Sequence, residues 1–366
     1  MRVSSSFQCA PPRSRQFPTR DSDFGTLLMK SSFLALLIIF AGCSHSARTP
    51  LVVYSPHGKE MLGEFEHQFE ASNPDVDVQW LDMGSEDAYD RIRTERTNPQ
   101  ADIWWGAPAT IFMRAEKEGL LEPYRPTWAG DVPPECRSSE DCWYGTFVTP
   151  EVIVYNTQLV TPESSPKEWS DLLDPRWKGK IILRYPLASG TMRAVFSGII
   201  ASSLSRTGSE AEGFDWLRRL DANTKAYTPD PTQMYLRLAR EEASVSIWDM
   251  PDVVLQAKVN NYPFGYNIPS GGTVLVTDGI AIVRGCKHPE IARKFYEFVT
   301  SDSSLVLQAN RFYRIPARTD IPKDKLPGWM TSAPIRSMVL DWGLIAEREA
   351  GWMKKWDDEI KGRGGR

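Results

Sequence analysis

The stretch from Lys180 to Phe196 constrains the fold more than any other part of the chain. Ile181-Ile182-Leu183-Arg184 is a short β-branched and aliphatic run, Pro186 breaks it, and Ser189-Gly190-Thr191 opens a run with helical spacing. A strand, a turn and a helix N-terminus follow one another within it. The first turn of such a helix leaves backbone amides unpaired and carries the positive end of the dipole, so an anion is stabilised there. The same residues also suit a plain connection in which Ser189 caps the helix and nothing binds. Both readings stay open on this stretch alone.

The rest of the chain places that element in a series. At 366 residues the sequence exceeds one ordinary core, and two globular units of comparable size are expected. Leu51 to Tyr54 reads as a buried strand, Ser55 to Gly58 as a turn, and Lys59 to Ala71 as a helix with Leu62, Phe65 and Phe69 on one face. Val76 to Leu81 is a second strand, followed by a helix that starts near Ser85 and ends near Thr97. Asp102 to Trp105 is a third, leading through Gly106 into a helix that ends near Gly119. This alternation predicts a parallel sheet with crossover helices. Residues 121–144 are rich in proline and polar groups and show no period. Phe147 to Asn156 restores a β signal and begins a second set. Helices are expected over Thr191–Leu204, Glu210–Leu220 and Pro231–Glu242, and a strand over Val245–Asp249 that runs into another helix. Ile268 to Val283 reads as a glycine-punctuated β pair that returns the chain to its first unit. Helices over His288–Thr300 and Ser303–Asn310 follow, then an amphipathic stretch from about Ala333 to Ile360.

Charge and cysteine usage narrow the class. The net charge of -4 hides a split, because residues 1–42 carry a surplus of three positive charges and leave -7 on the remainder. An acidic body without a basic stripe argues against nucleic acid and against electrostatic binding to an anionic membrane. The apolar run Phe33 to Phe40 is too short to span a bilayer and follows Met29-Lys30, which reads as a signal peptide whose true start is either Met1 or Met29. It ends at Ala41-Gly42-Cys43, which resembles a bacterial lipobox and implies lipidation at Cys43; an ordinary cleavage site or a signal anchor is the alternative. Cys136 and Cys142 bracket a polar loop, and in an exported protein that spacing suits a disulfide. No CxxC motif occurs and the four histidines do not cluster, so neither a zinc site nor a redox motif is expected.

The order of motifs resembles a known family. Tyr54-Ser55, Asp102-Ile103-Trp104-Trp105-Gly106, Trp177-Lys178-Gly179-Lys180-Ile181, Ser189-Gly190-Thr191, Gly271-Gly272 and Tyr313-Arg314-Ile315-Pro316 together look like the ferric-iron and related solute-binding proteins of ABC importers. The resemblance implies an α/β, two-lobe type II periplasmic binding protein, each lobe a mainly parallel sheet flanked by helices, the two joined by hinge strands near Phe147–Tyr155 and Val274–Val283. It divides the chain into a leader and lipobox (1–43), a tether (44–49), lobe 1 (50–148 and 275–335), lobe 2 (149–274) and a C-terminal helix and tail (336–366). Candidate ligand contacts lie at strand ends: Ser55, His57 and Gly58; Trp105 and Gly106; Arg184 with Ser189, Gly190 and Thr191; Trp248 and Asp249; and Tyr313 with Arg314 in the returning segment. Trp104 and Trp105 point to opposite faces of their strand, and Trp105 is assigned to the cleft.

One departure from the iron-binding branch matters. That branch presents two adjacent tyrosines after the strand corresponding to Val245–Trp248; here the chain reads Trp248-Asp249-Met250-Pro251. A small organic anion (organophosphate, sugar phosphate or carboxylate) therefore suits the site better than ferric iron. Its head is expected at Ser189, Gly190, Thr191 and Arg184, with Asp249 taking hydroxyl or amine groups and Trp105 or Trp248 covering an apolar face. The expected partners are this solute and an importer permease, with a lipid anchor, no cofactor and a monomeric state. Metal uptake through other ligands, a sensory lipoprotein and a hydrolytic enzyme are the alternatives. The last lacks any Ser/His/Asp set or Gly-x-Ser-x-Gly elbow.

Overall fold

The computed structural model describes residues 48–332 and 335–364. The expected leader, Cys43 and most of the tether lie outside them. Lobe 1 begins with β1 (Thr49–Ser55), α1 (Lys59–Ser72), β2 (Val76–Asp82), α2 (Ser85–Thr94), β3 (Ile103–Pro108), α3 (Ala109–Lys117) and the short β4 (Leu121–Glu122). The long β5 (Tyr144–Asn156) leads into lobe 2: β6 (Ile181–Arg184), α4 (Gly190–Thr207), α5 (Ala211–Asn223), β7 (Thr224–Thr228), α6 (Pro231–Ala239), β8 (Val245–Asp249), α7 (Met250–Val259) and β9 (Phe264–Asn267). Then come β10 (Leu275–Val283), α8 (Pro289–Val299), α9 (Asp302–Phe312), β11 (Ile315–Pro316), α10 (Gly328–Ser332) and α11 (Trp342–Glu359).

The strands form one hydrogen-bonded path, β2-β1-β3-β10-β5-β8-β6-β7. Pairing is parallel where crossover helices connect the strands, as in β1 with β2 and β3 and in β6 with β7 and β8. It is antiparallel at the centre, where β10 pairs with β3 and β5, and β5 pairs with β8. β5 belongs to both halves. Its residues up to Pro150 face β10, while Glu151 to Tyr155 face β8, so the switch falls between Pro150↔Leu275 and Glu151↔Asp249.

Two sets of cores lie on either side of that switch. In lobe 1, Leu51, Val53, Phe65, Phe69, Trp105 and Phe295 pack on one face of the sheet and Tyr54, Trp104, Phe112 and Trp143 on the other. In lobe 2, Ile182, Leu183, Phe196 and Ile247 join Trp352 and Trp356 of α11. The alternation along β1 and β3 follows from the two-residue period of a strand, and both faces are covered, which is what a parallel sheet with crossover helices requires. The C-terminal helix is thus part of the second core. It starts at Trp342, with Asp341 accepting from the Leu344 amide as its cap, rather than near Ala333.

Several details differ from the sequence reading. The glycine-punctuated segment contributes one strand, β10, because Ser270 to Gly272 turn instead of pairing. The short β7, β9 and β11 carry too little alternation to stand out. The expected Cys136–Cys142 disulfide is not formed, and Cys136, Cys142 and Cys286 are free thiols. Cys136 packs in one lobe 1 cluster and contacts Thr277 Oγ1 at 3.3 Å, whereas Cys142 packs in the other, so sequence proximity does not bring the sulfurs together. No described helix is long and apolar enough to cross a membrane.

Candidate ligand-binding site

A cavity of about 80 Å³ lies where the ends of the central strands meet. It is lined from lobe 1 by Pro56, His57, Gly84, Ser85 and Pro108, from lobe 2 by Arg184, Ser189, Gly190, Thr191 and Trp248, and at the strand crossing by Glu151, Asp249 and Asp278. A wider hollow of about 480 Å³ shares His57, Pro231 and Asp252 with it.

Local structure explains why these groups converge. Pro186 to Ala188 form one tight turn, after which Ser189 caps α4 by accepting from the Met192 amide at 3.3 Å. A cap of this kind is worth about 1 kcal/mol. It leaves the Gly190 and Thr191 amides without an intrahelical partner at the positive end of an 18-residue helix. A Cβ on Gly190 would lie 2.7 Å from Pro108 Cδ and 3.2 Å from Ser85 Cβ, so only glycine permits the two lobes to approach here. The same approach is held by Glu86 of α2, whose carboxylate accepts from Arg114 at 2.7 Å and 2.9 Å and pairs with Arg193 of α4 at 3.0 Å.

Arg184 donates through Nη2 to the Ala188 carbonyl at 3.1 Å and its guanidinium lies 5.9 Å from the Trp248 ring centre. Its Nε is buried without a partner, and among the described residues it makes no salt bridge. Burial pulls its pKa down from the usual arginine value. Arg314 is different: it donates to Asp252 Oδ1 at 2.9 Å and stands 3.9 Å from Asp249 Oδ1, and these acids, with Asp278, hold it charged against the burial that opposes it. His57 donates its amide to Ser55 Oγ at 3.3 Å, and its ring packs on Trp105 and Phe147 with centroids 5.3 Å and 5.1 Å away. Burial and then Arg314 push its pKa well below the ordinary histidine range, so the imidazole is neutral, with Nε2 unpartnered.

The carboxyl side is equally loaded. Glu151 is 1% exposed and neither of its oxygens has a partner. Burial, then Asp249, Asp278 and Asp252, push its pKa well above the usual carboxyl range against the pull of Arg314. Asp249 caps α7 by accepting from the Asp252 amide at 2.9 Å and is likewise raised, by burial and then by Asp252. Asp278 accepts from Thr149 at 2.7 Å, and burial carries it to about 6.

Of the sequence candidates, His57, Arg184, Ser189, Gly190, Thr191, Trp248, Asp249 and Arg314 line this cavity. The others do not. Trp105 is fully buried behind His57, packed on Phe65 and Phe295, because helices cover both faces of β3 and leave neither tryptophan free for the cleft. Gly106, at φ 99, makes room for the His57 ring, which a Cβ would meet at 2.3 Å. Ser55 is fully buried and occupied by the His57 amide, and Gly58 precedes α1 and borders only the outer hollow. Tyr313 takes a left-handed turn after α9, with Lys258 over its ring. Sequence reasoning missed Thr149, Glu151, Asp252 and Asp278. A lone carboxylate inside each of two apolar strands, Glu151 in β5 and Asp278 in β10, was the available signal. No tyrosine lines the cavity, and among the described residues no group of three His, Cys, Asp or Glu is placed to hold a metal ion.

Proteins similar to this chain include ones named for iron uptake as well as ones named for organic anions. Residues 98–336 match the family model described as bacterial extracellular solute-binding protein. A protein of Sinorhizobium fredii described as a probable ABC transporter periplasmic-binding protein, y4fP, is 26% identical over 95% of this chain and 97% of its own. A periplasmic protein of Salmonella typhimurium named for 2-aminoethylphosphonate binding is 26% identical over 90% of this chain and 94% of its own. Among solved structures, the periplasmic binding protein AfuA of Actinobacillus pleuropneumoniae, with fructose-6-phosphate bound, superposes with a TM-score of 0.75 over 86% of this chain and 99% of that one at 24% identity.

Proposed function

The chain belongs to the bacterial extracellular solute-binding proteins, and from that premise we propose that it is the solute-capturing component of an ABC importer, closing its two lobes around a small organic anion. One observation carries the choice of ligand: Arg184, charged and without a salt-bridge partner among the described residues, stands beside the unpaired amides at the start of α4 in the interlobe cavity. A phosphate, phosphonate or carboxylate head would satisfy these donors together, the guanidinium by a forked pair of charge-assisted bonds. The naming of the Salmonella relative for a phosphonate supports this chemistry. The ferric alternative has less support, since the cavity offers no phenol.

The chain acts as a carrier outside the cytoplasm, with a permease as its partner. Anchoring through a lipid on Cys43, a monomeric state, and lobe limits at 148/149 and 274/275 belong to the same reading. The β5 switch between Pro150 and Glu151 would serve as one hinge strand and β10 as the other. The test is a melting-temperature screen of the mature protein against phosphate monoesters, phosphonates, carboxylates and ferric citrate. A stabilising phosphorylated or phosphonylated compound is expected. A shift produced by ferric ion alone, with a phenolate charge-transfer band, would overturn the reading.

A further inference from the structure

The anion-binding end accounts for only part of the cavity. Around the β5 crossing it presents Glu151, Asp249, Asp252 and Asp278 against a single guanidinium, Arg314, which already bonds to Asp252. Asp249 spends one oxygen on its helix cap and Asp278 receives Thr149, but both oxygens of Glu151 are buried, aimed into the cavity and unpartnered. A buried carboxyl in that state is costly unless a donor meets it. Among the described residues no side chain does so.

From this, and resting on the reading of the site above, we propose that the solute is zwitterionic: its anionic head binds Arg184 and the α4 N-terminus, and a cationic nitrogen at its other end binds Glu151 beside Asp249 and Asp278. An ammonium offers three donors, enough for Glu151 and one neighbouring carboxylate. Topology sets the reach. β8 lies between β5 and β6, so the strands bearing Glu151 and Arg184 are two strand spacings apart, roughly 10 Å between backbones. A compact molecule is in keeping with that spacing and with the small cavity. Burial and then the neighbouring acids push the carboxyls of Glu151, Asp249 and Asp278 upward, with Asp252, Arg314 and the neutral His57 facing them, so a cationic nitrogen among them would favour their ionised forms.

The experiment uses the mature chain and three phosphonates that share a head: 2-aminoethylphosphonate, 2-hydroxyethylphosphonate and ethylphosphonate. Calorimetry is expected to show the amine binding at least about 100-fold more tightly than ethylphosphonate, in line with a buried charge pair. In Glu151→Gln the advantage of the amine over ethylphosphonate should shrink to less than about fivefold. Equal affinity for all three probes in the parent, or an amine advantage that survives Glu151→Gln, would overturn the cationic end and leave the anion site standing. Failure of every phosphonate, phosphate ester and carboxylate to bind would remove the anion site and this inference together.

Discussion

Replacing Arg184 by Met tests the binding site most directly. Among the described residues this guanidinium has one hydrogen bond, to Ala188, an unpartnered Nε and no salt-bridge partner. Removing it relieves a partly buried charge and loses about one ordinary hydrogen bond, so stability should stay within about 1 kcal/mol, or roughly 1–2 °C in a chain of this size. Binding behaves differently. Two charge-assisted bonds at about 1.5–3 kcal/mol each give a loss of about 3–6 kcal/mol, or a weakening between roughly 100- and 20,000-fold. The strongest phosphorylated or phosphonylated compound from the screen serves as the probe. At about 100 times its Kd it stabilises the parent by about 2.7 kcal/mol; after a 300-fold loss the same concentration gives about 0.2 kcal/mol, and the melting shift should vanish. Tryptophan fluorescence, with Trp248 beside Arg184, reads the affinity independently. An affinity loss below about fivefold, or an unliganded variant destabilised by more than about 3 kcal/mol, would refute the assignment of Arg184 as an anion receptor.

Gly190→Val should weaken the same ligand by about tenfold or more, since its side chain would meet Pro108 and Ser85 as the lobes approach; unchanged affinity in a titration would show that they need not come so close. Trp105→Phe should leave affinity within about threefold while lowering the urea midpoint by the equivalent of about 1–3 kcal/mol, because the ring fills the lobe 1 core; a large affinity loss with normal stability would return it to the cleft. Glu349 on α11, buried and 3.3 Å from Arg114, has its pKa raised by burial, against Arg114 and Arg193, to about 7. The folded state therefore holds this proton longer than the unfolded chain does, and the group's contribution to stability, of order 3 kcal/mol, is present below about pH 4.5 and lost as pH rises to about 7. Glu349→Gln should remove that part of the slope, checked by denaturant midpoints at pH 5 and 7.5, and an unaltered slope would contradict it.

Much of the fold was legible in the chain because its signals are local. The Ile181–Arg184 run, the Pro186 break and the Ser189 cap follow from covalent restriction and nearest-neighbour hydrogen bonding, and so does the alternation of strands and helices around Leu51, Val76 and Ile103. Those same signals placed Arg184, Ser189, Gly190 and Thr191 at one strand end. What only the tertiary structure decided depends on which residues become neighbours across the sheet. Trp105 looked like a cleft residue until helices were seen on both faces of β3, and Cys136 and Cys142 looked like a bridge until they fell into separate cores. Glu151 acquires its character only because β5 changes partners beside it and sets Asp249, Asp278 and Arg314 around its carboxyl. Backbone propensity is a property of a few consecutive residues, whereas desolvation and charge coupling arise from groups about 100 or more positions apart in the chain, and no short-range pattern encodes them.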